Sequence, residues 1–159
     1  MLRLATSSDL EDVVSWIPTA RDCELWAGRR VTFPIDRTSP PAAIDFTESN
    51  AFSLIDGEEF VAFGQRVRKG QGRGHLARLI VKPGLRGKGH GEMLVRALLH
   101  RARIESFESV SLNVDSSNLP AVSLYLKMGF VDATRPPDEP ASAGARYMEM
   151  SHWRERSAV

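Results

Sequence analysis

The 159-residue chain carries 21 basic and 20 acidic side chains for a formal net charge of +1, so no global field demands a nucleic acid or an anionic membrane as partner. Its 42% hydrophobic and 26% charged content excludes a disordered or fibrous chain, and its length suits a single domain, residues 1–159, with a core of its own. One cysteine, Cys23, excludes an internal disulfide and a multi-thiolate metal cage; with no metal site, no signal-like leader and no membrane-length apolar run, a soluble cytoplasmic protein is expected.

Leu2 to Ala5 reads as a short strand, and Ser8 with Glu11 has the S-x-x-E spacing of a capped helix start, giving a helix through Trp16 that ends at Pro18. A second helix, Arg21 to Ala27, stops at Gly28. Arg29 to Pro41 is proline-rich and irregular, and Pro41 to Phe46 is a further helical turn. Ala51 to Ile55 and Phe60 to Val67, separated by Asp56-Gly57, form a β-hairpin. His75 to Val81 is a strand ended by Lys82-Pro83-Gly84, and Gly89 to Ile104 is a helix with Leu94, Ala97, Leu98 and Arg101 on one stripe. Val110, Leu112 and Val114 alternate with Ser111, Asn113 and Asp115 as in a half-buried strand. Asn118 then caps a helix with Pro120 in its first turn and Gly129 at its stop. Phe130 to Ala133 and Arg146 to Trp153 are the last strands, flanking a proline-rich loop from Arg135 to Gly144, and the final strand is exposed enough to pair across a dimer. The layout is mixed α/β.

The strand–turn–helix at Val81 to Gly91 carries the clearest chemistry. Free N–H groups at a helix start converge with the positive end of its dipole, and Gly87, Gly89 and Gly91 let phosphate oxygens approach the main chain. Inside a helix such glycines cost roughly 1 kcal/mol each relative to alanine, which argues for a compensating role as a phosphate cradle, with Arg86 and Lys88 adding charge. The nucleotide P-loop would need Ser or Thr where Gly89 stands, and G-x-G-x-G is not the dinucleotide G-x-G-x-x-G. Gly84-Leu85-Arg86-Gly87 matches the GXXG of KH domains, but a strand precedes it rather than a helix.

Two stretches together, LIVKPGLRGKGHGEMLVRALL and NVDSSNLPAVSLYLKMGF with Asn118, Tyr125, Gly129 and Phe130, resemble the GNAT superfamily of N-acetyltransferases. The resemblance covers residues 75–131 strongly and the flanks by element order. It implies a mixed, mostly antiparallel sheet of six to seven strands, splayed between the fourth and fifth, with about four flanking helices. It further implies acetyl-CoA as cofactor. The pantetheine arm would lie against Leu79, Ile80 and Val81, and the pyrophosphate against Arg86, Gly87, Lys88, Gly89, His90 and Gly91. Asn118, Ala121 and Tyr125 would complete the cofactor site from the other side.

The reaction the resemblance implies is acetyl transfer to a primary amine, either a small molecule or a protein N-terminus or lysine, by direct attack in a ternary complex. It needs an oxyanion donor, for which a backbone N–H at Ile80 or Val81 is the candidate, and an acid for the departing thiolate, the position of Tyr125. The proton acceptor is open among His75, Asp115, Glu48 and Asn113. On the acceptor side, Trp26 and Phe33 are candidate pocket walls, with Asn113 a candidate substrate contact and Glu24 able to attract a cation. The alternatives are a non-catalytic CoA-binding regulatory module and a nucleic-acid binder using Arg66, Arg68, Lys69 and Arg73; the chain is expected as monomer or homodimer, with no nucleic acid and no membrane as partner.

Overall fold

The computed structural model describes residues 1–36, 44, 46–47, 49–70, 72–139 and 144–151. Strand β1 (Leu2–Leu4) leads into α1 (Ser7–Ser15), α2 (Ala20–Ala27) and a 3-10 turn at Gly28–Arg30. The hairpin β2 (Ala51–Asp56) and β3 (Glu59–Arg68) follows, then β4 (Arg73–Val81), α3 (His90–Ile104), β5 (Ser109–Asp115), α4 (Leu119–Met128), β6 (Val131–Asp132) and β7 (Ala145–Ser151). The seven strands make one sheet in the order β1-β2-β3-β4-β5-β7-β6, antiparallel except for the parallel β4–β5 pair. Period-two alternation along β2 sends Ala51 to one face and Phe52 to the other, so each face has its own core. Helices α1 and α2 pack Leu10, Val13 and Trp26 on Phe63 and Ile80, while α3 and α4 pack Leu94, Leu98 and Val122 on Leu76, Val110 and Leu112.

Four local expectations need correction. The first helix is capped by Thr6, not Ser8. Thr6 Oγ1 accepts from the Asp9 N–H, and the Asp9 carboxylate accepts in return from the Thr6 N–H, at 3.2 and 2.9 Å. Asp9 wins over Glu11 because it also accepts from Ser53 and from both terminal nitrogens of Arg3. Burial alone would raise its carboxyl, but these donors outweigh it and hold the pKa down at about 2. Second, Asn118 occupies the cap position of α4 without making a side-chain cap bond; the preceding turn is instead closed by Asp115 Oδ1, which accepts from the Ser117 N–H at 2.9 Å. Third, β6 is only two residues long, because Phe130 turns into the core beside Tyr125. Fourth, β7 is not an edge strand: it lies between β5 and β6, and β5 pairs with it from Ser109 to Asp115. Most of the turn expected at Pro41 to Phe46, and Trp153, lie outside the described residues.

What positions the site is a break in pairing. β4 and β5 pair only from Arg73↔Ser109 to Leu76↔Leu112, and beyond that point the two strands diverge into a V. On its other side β4 carries a bulge, where Arg78 and Leu79 oppose the single residue Gly64 of β3 and Arg78 takes a φ of +53°. At Gly64 an added Cβ would lie 2.6 Å from Leu79 Cδ2 and 3.1 Å from Leu98 Cδ1, so these two leucines occupy the space a side chain would need.

Candidate active site

Helix α2 bridges both arms of the V. Its Trp26 Nε1–H donates to the carbonyl of Arg78 at the bulge, at 2.9 Å, and its Arg21 donates to Ser117 Oγ beyond β5, at 2.7 Å. The helix thereby roofs two clefts that share Leu25 and Trp26 as a common wall.

The larger cleft, about 820 Å³, runs from the open edge of β4 to the turn before α3 and the first turns of α4. Leu79, Ile80, Val81, Arg86, Gly87, Gly89 and Gly91 line it from the β4 side, and Asn118, Ala121 and Tyr125 from the other. Main-chain directions follow from the register. The Lys82 N–H donates to Val61 O on β3 at 2.9 Å, and Ile80, two residues back, faces β3 in the same sense. Val81 lies between them, so its N–H and C=O point to the open side of the V. Of the two oxyanion candidates, Val81 rather than Ile80 therefore offers its amide to the cleft. Arg86 reaches back to the Val81 carbonyl at 3.3 Å, tying the turn to the strand end. Gly87 and Gly89 take φ of +78° and +90°, and Gly89 is the N-cap of α3, so the turn presents main-chain N–H groups without side chains in front of them.

Two cradle residues expected to touch the cofactor do not line this cleft. Lys88 is exposed. The His90 ring turns away, with Nδ1 3.3 Å from Leu85 O and Nε2 3.2 Å from Asp56 Oδ2, so it braces the turn against the β2–β3 hairpin. Tyr125 is buried between the cleft and the core, edge-on to Phe130 with 5.9 Å between ring centroids. Burial pushes its phenol up to about 12, which keeps it a hydrogen-bond donor at neutral pH.

The smaller cleft, about 280 Å³, lies where β4 and β5 are still paired, and Glu24, Trp26, Lys69, His75, Arg78, Asn113, Asp115 and Glu139 line it. Its floor is a chain of hydrogen bonds with one possible direction. An arginine only donates, so Arg135 Nη2 fixes Asn113 Oδ1 as acceptor at 2.8 Å, and the Asn113 amide then donates to His75 Nε2 at 3.4 Å. His75 Nδ1–H donates to Ser111 Oγ at 2.8 Å, and Ser111 donates onward to Gly74 O. The imidazole is thus neutral in a set tautomer. Burial, reinforced by Lys69, Arg78 and Arg135, lowers its pKa to about 4. Asp115 is engaged by Ser117 and lies 3.6 Å from Arg21, and Glu24 pairs with Arg21 and Arg29. Phe33 packs on the α1–α2 core and lines neither cleft, and Glu48 lies outside the described residues. Arg66 and Arg68 stack on Phe107, and Arg66 pairs with Glu105, so neither is a free basic side chain. Among the described residues no group of three or more His, Cys, Asp or Glu side chains is placed to hold a metal ion, and no helix is long and apolar enough to cross a membrane.

The family model described as "Acetyltransferase (GNAT) family" matches residues 19–130, which takes in α2, the cradle, the V and α4. The chain belongs to the GNAT acetyltransferase family. Among curated relatives it is 29% identical to a mycothiol acetyltransferase of Corynebacterium glutamicum over 119 residues, 74% of this chain and 41% of that protein. It is 39% identical to YobR of Bacillus subtilis, described as an uncharacterized N-acetyltransferase, over 79 residues, 50% of this chain and 32% of that protein. The chain thus spans well under half the length of these curated relatives. The fold is that of the structure of AAC(6')-Ib in complex with paromomycin and acetyl-CoA, with a TM-score of 0.75 at 23% identity over 100% of this chain and 97% of that one.

Membership of the GNAT family assigns acetyl-CoA as cofactor, and the residues present fit it. The turn at Gly87 to Gly91 offers main-chain donors at a helix start, as a pyrophosphate requires. The unpaired side of β4 offers the Val81 N–H to an amide-bearing arm, as in β-augmentation by a peptide, with the Val81 carbonyl beside it held by Arg86. The signals that would have located Lys69, Ser111 and Arg135 were weak, because only the β4–β5 register and the return of the β6–β7 loop bring them together.

Proposed function

We propose that this chain is an N-acetyltransferase that moves an acetyl group from acetyl-CoA to a primary amine by direct attack while both substrates are bound. The observation that carries the reading is the pair of clefts meeting at Leu25 and Trp26, one ending on a phosphate-type cradle and the other on a polar floor. Two separate chambers with one shared wall suit two substrates held at once and a reaction at their junction.

Bound acetyl-CoA supplies an acetyl thioester, activated toward nucleophiles. The chain's own groups supply the rest. The Val81 N–H, directed into the V, is the fixed donor for negative charge developing on the acetyl oxygen, and a preorganised donor of this kind contributes roughly 3 kcal/mol. As the C–N bond forms and the C–S bond breaks, Tyr125, held protonated by burial, gives its proton to the leaving sulfur, and the proton shed by the attacking nitrogen restores the phenol through solvent. Trp26 holds the bulge of β4 in place through its bond to Arg78 O, and with it the direction of the residues that follow.

The test has two steps. Acetyl-CoA is expected to raise the melting temperature, because it binds the folded state only. Thiol release is then followed on adding amines. Binding without release over a broad range of amines and peptides would replace the proposal with that of a CoA-binding regulatory module.

A further inference from the structure

The cradle turn has conformational freedom to lose when a ligand binds. Gly84, Gly87 and Gly89 all hold positive φ, and a Cβ at any of them would meet nothing within 4 Å, so the space around each is open. On the strand side the turn is tied by Arg86 Nε to the Val81 carbonyl at 3.3 Å and by the Leu85 N–H to the Lys82 carbonyl at 3.1 Å. On the helix side stands His90, the first residue of α3, whose side chain is only 11% exposed although residues 86–89 before it are all exposed. Its Nδ1 faces back to the Leu85 carbonyl at 3.3 Å, and its Nε2 faces Asp56 Oδ2 at 3.2 Å. Both partners only accept, so the imidazole donates to either one and the imidazolium to both.

We infer that His90 is a positioning residue for the cofactor: held by Asp56, it fixes the Leu85 carbonyl and so keeps the turn in the form that receives the pyrophosphate of CoA. The inference rests on the reading of that turn as the phosphate cradle. Glycines give a ligand access to the main chain but leave the unbound turn many conformers, which must be given up on binding. A ring clamped at both nitrogens removes part of that loss in advance, which is what preorganisation contributes to affinity. The clamp also reaches beyond the turn. Asp56 is the last residue of β2 and pairs with Glu59 of β3 across the hairpin, so the sheet itself holds the far end.

The two arms of the clamp can be separated chemically. In His90→Asn the amide nitrogen stands near the place of Nδ1 and keeps a donor for Leu85. In His90→Gln it stands near the place of Nε2 and keeps a donor for Asp56 alone. Control of the turn requires the first arm. Because His90 lines neither cleft, its effect falls on binding of the phosphate end of the cofactor and leaves the chemical step alone.

The experiment measures binding of CoA, and of pantetheine titrated to millimolar concentration, by calorimetry on the parent, His90→Ala, His90→Gln, His90→Asn and Gly87→Ala. His90→Ala and His90→Gln are expected to bind CoA about fivefold to tenfold more weakly, the effect of one lost hydrogen bond, while pantetheine, which lacks the pyrophosphate, stays within about twofold of the parent. His90→Asn should restore CoA binding to within about threefold, and in thiol release the KM for acetyl-CoA should follow these affinities with kcat within about twofold of the parent. CoA bound by His90→Ala as tightly as by the parent, an equal loss for pantetheine, or His90→Asn no better than His90→Ala would overturn the inference. Gly87→Ala tells the two failures apart. If it weakens CoA binding while His90→Ala does not, only the role of His90 falls; if neither does, the cradle reading falls with it.

Discussion

The two clefts are built from different materials. The larger cleft has apolar side-chain walls and takes its polar groups from the main chain: the open side of Val81, a turn of glycines with positive φ and the start of α3. The smaller cleft takes its polar groups from side chains: His75 and Asn113 on the floor, tied in one directed series to Ser111 and Arg135 behind it, with Lys69, Glu24, Asp115 and Glu139 also lining it. A site made of backbone recognises a constant ligand and is fixed by local conformation. A site made of side chains on separate strands can change its ligand one residue at a time while the fold stays as it is.

The strongest challenge to this division is Tyr125→Phe, since it alters a single atom on the cofactor side. If the hydroxyl is the donor to the leaving sulfur, kcat falls about 100-fold, in line with the loss of one general acid. The phenyl ring keeps its edge-on contact with Phe130, so the melting temperature stays close to that of the parent. Acceptor preference should not change. An unaltered kcat would return Tyr125 to the core as a packing residue.

Next in size is Gly87→Ala. An added Cβ meets nothing within 4 Å, so crowding is not the issue; the strain comes from holding φ at +78°, roughly 1–2 kcal/mol for an L-residue. Relief of that strain would turn the cradle N–H groups, and the KM for acetyl-CoA should rise about tenfold while the KM for the amine holds. Equal rises in both would mean that the two clefts are not independently built.

The same contrast explains what the sequence made legible. RGKGHG could be read as an anion cradle because each requirement, an alternating glycine, a strand end and a helix start, lies within a few neighbouring residues. Element order alone led to a mixed α/β layout, and the sheet of six to seven strands, splayed between the fourth and fifth, came from the resemblance to the GNAT superfamily. The capping residue of α1 was placed at Ser8 because spacing alone cannot see that Asp9, unlike Glu11, reaches Arg3 and Ser53 across the first strands. His90 and Lys88 were assigned to the cofactor on their position in the motif, yet the direction of the His90 ring depends on a partner, Asp56, 34 residues away. Lys69 read as one of four basic residues of a nucleic-acid alternative, and the fold instead sets it in the lining of the smaller cleft with His75 and Asn113.

Trp26 belongs to both clefts, so its variant should blur the division. Trp26→Phe keeps a ring against the α1–α2 core but leaves the Arg78 carbonyl without its donor at a bulge that depends on it. Losing one part-buried hydrogen bond costs about 1 kcal/mol, which should appear as a lower denaturation midpoint. The steady-state signature expected is a rise of about threefold to fivefold in both KM values. A change confined to one substrate would show that the indole walls one cleft only and that the bulge holds without it.

The smallest effect at neutral pH, and the one that isolates the acceptor side, is the pH dependence of stability. His75 has a folded pKa of about 4 against an ordinary value of 6.5, so between these two values the unfolded chain binds a proton that the folded chain does not. The stability tied to the neutral buried ring is therefore fully present above about 6.5 and is lost as the pH falls toward 4, with a slope of at most roughly 1.4 kcal/mol per pH unit for one proton. Asp9 acts in a separate, lower window, between its ordinary 3.8 and its folded value of about 2, so the two contributions can be resolved in one series. Urea denaturation from pH 8 to pH 3 should show the upper slope in the parent and a flatter curve in His75→Gln, with the two proteins alike below pH 4. Matching slopes through the upper window would mean that the ring is solvated and charged like any surface histidine. The directed series from Arg135 to Ser111 would then be absent in solution, and with it the side-chain architecture that separates the acceptor cleft from the cradle.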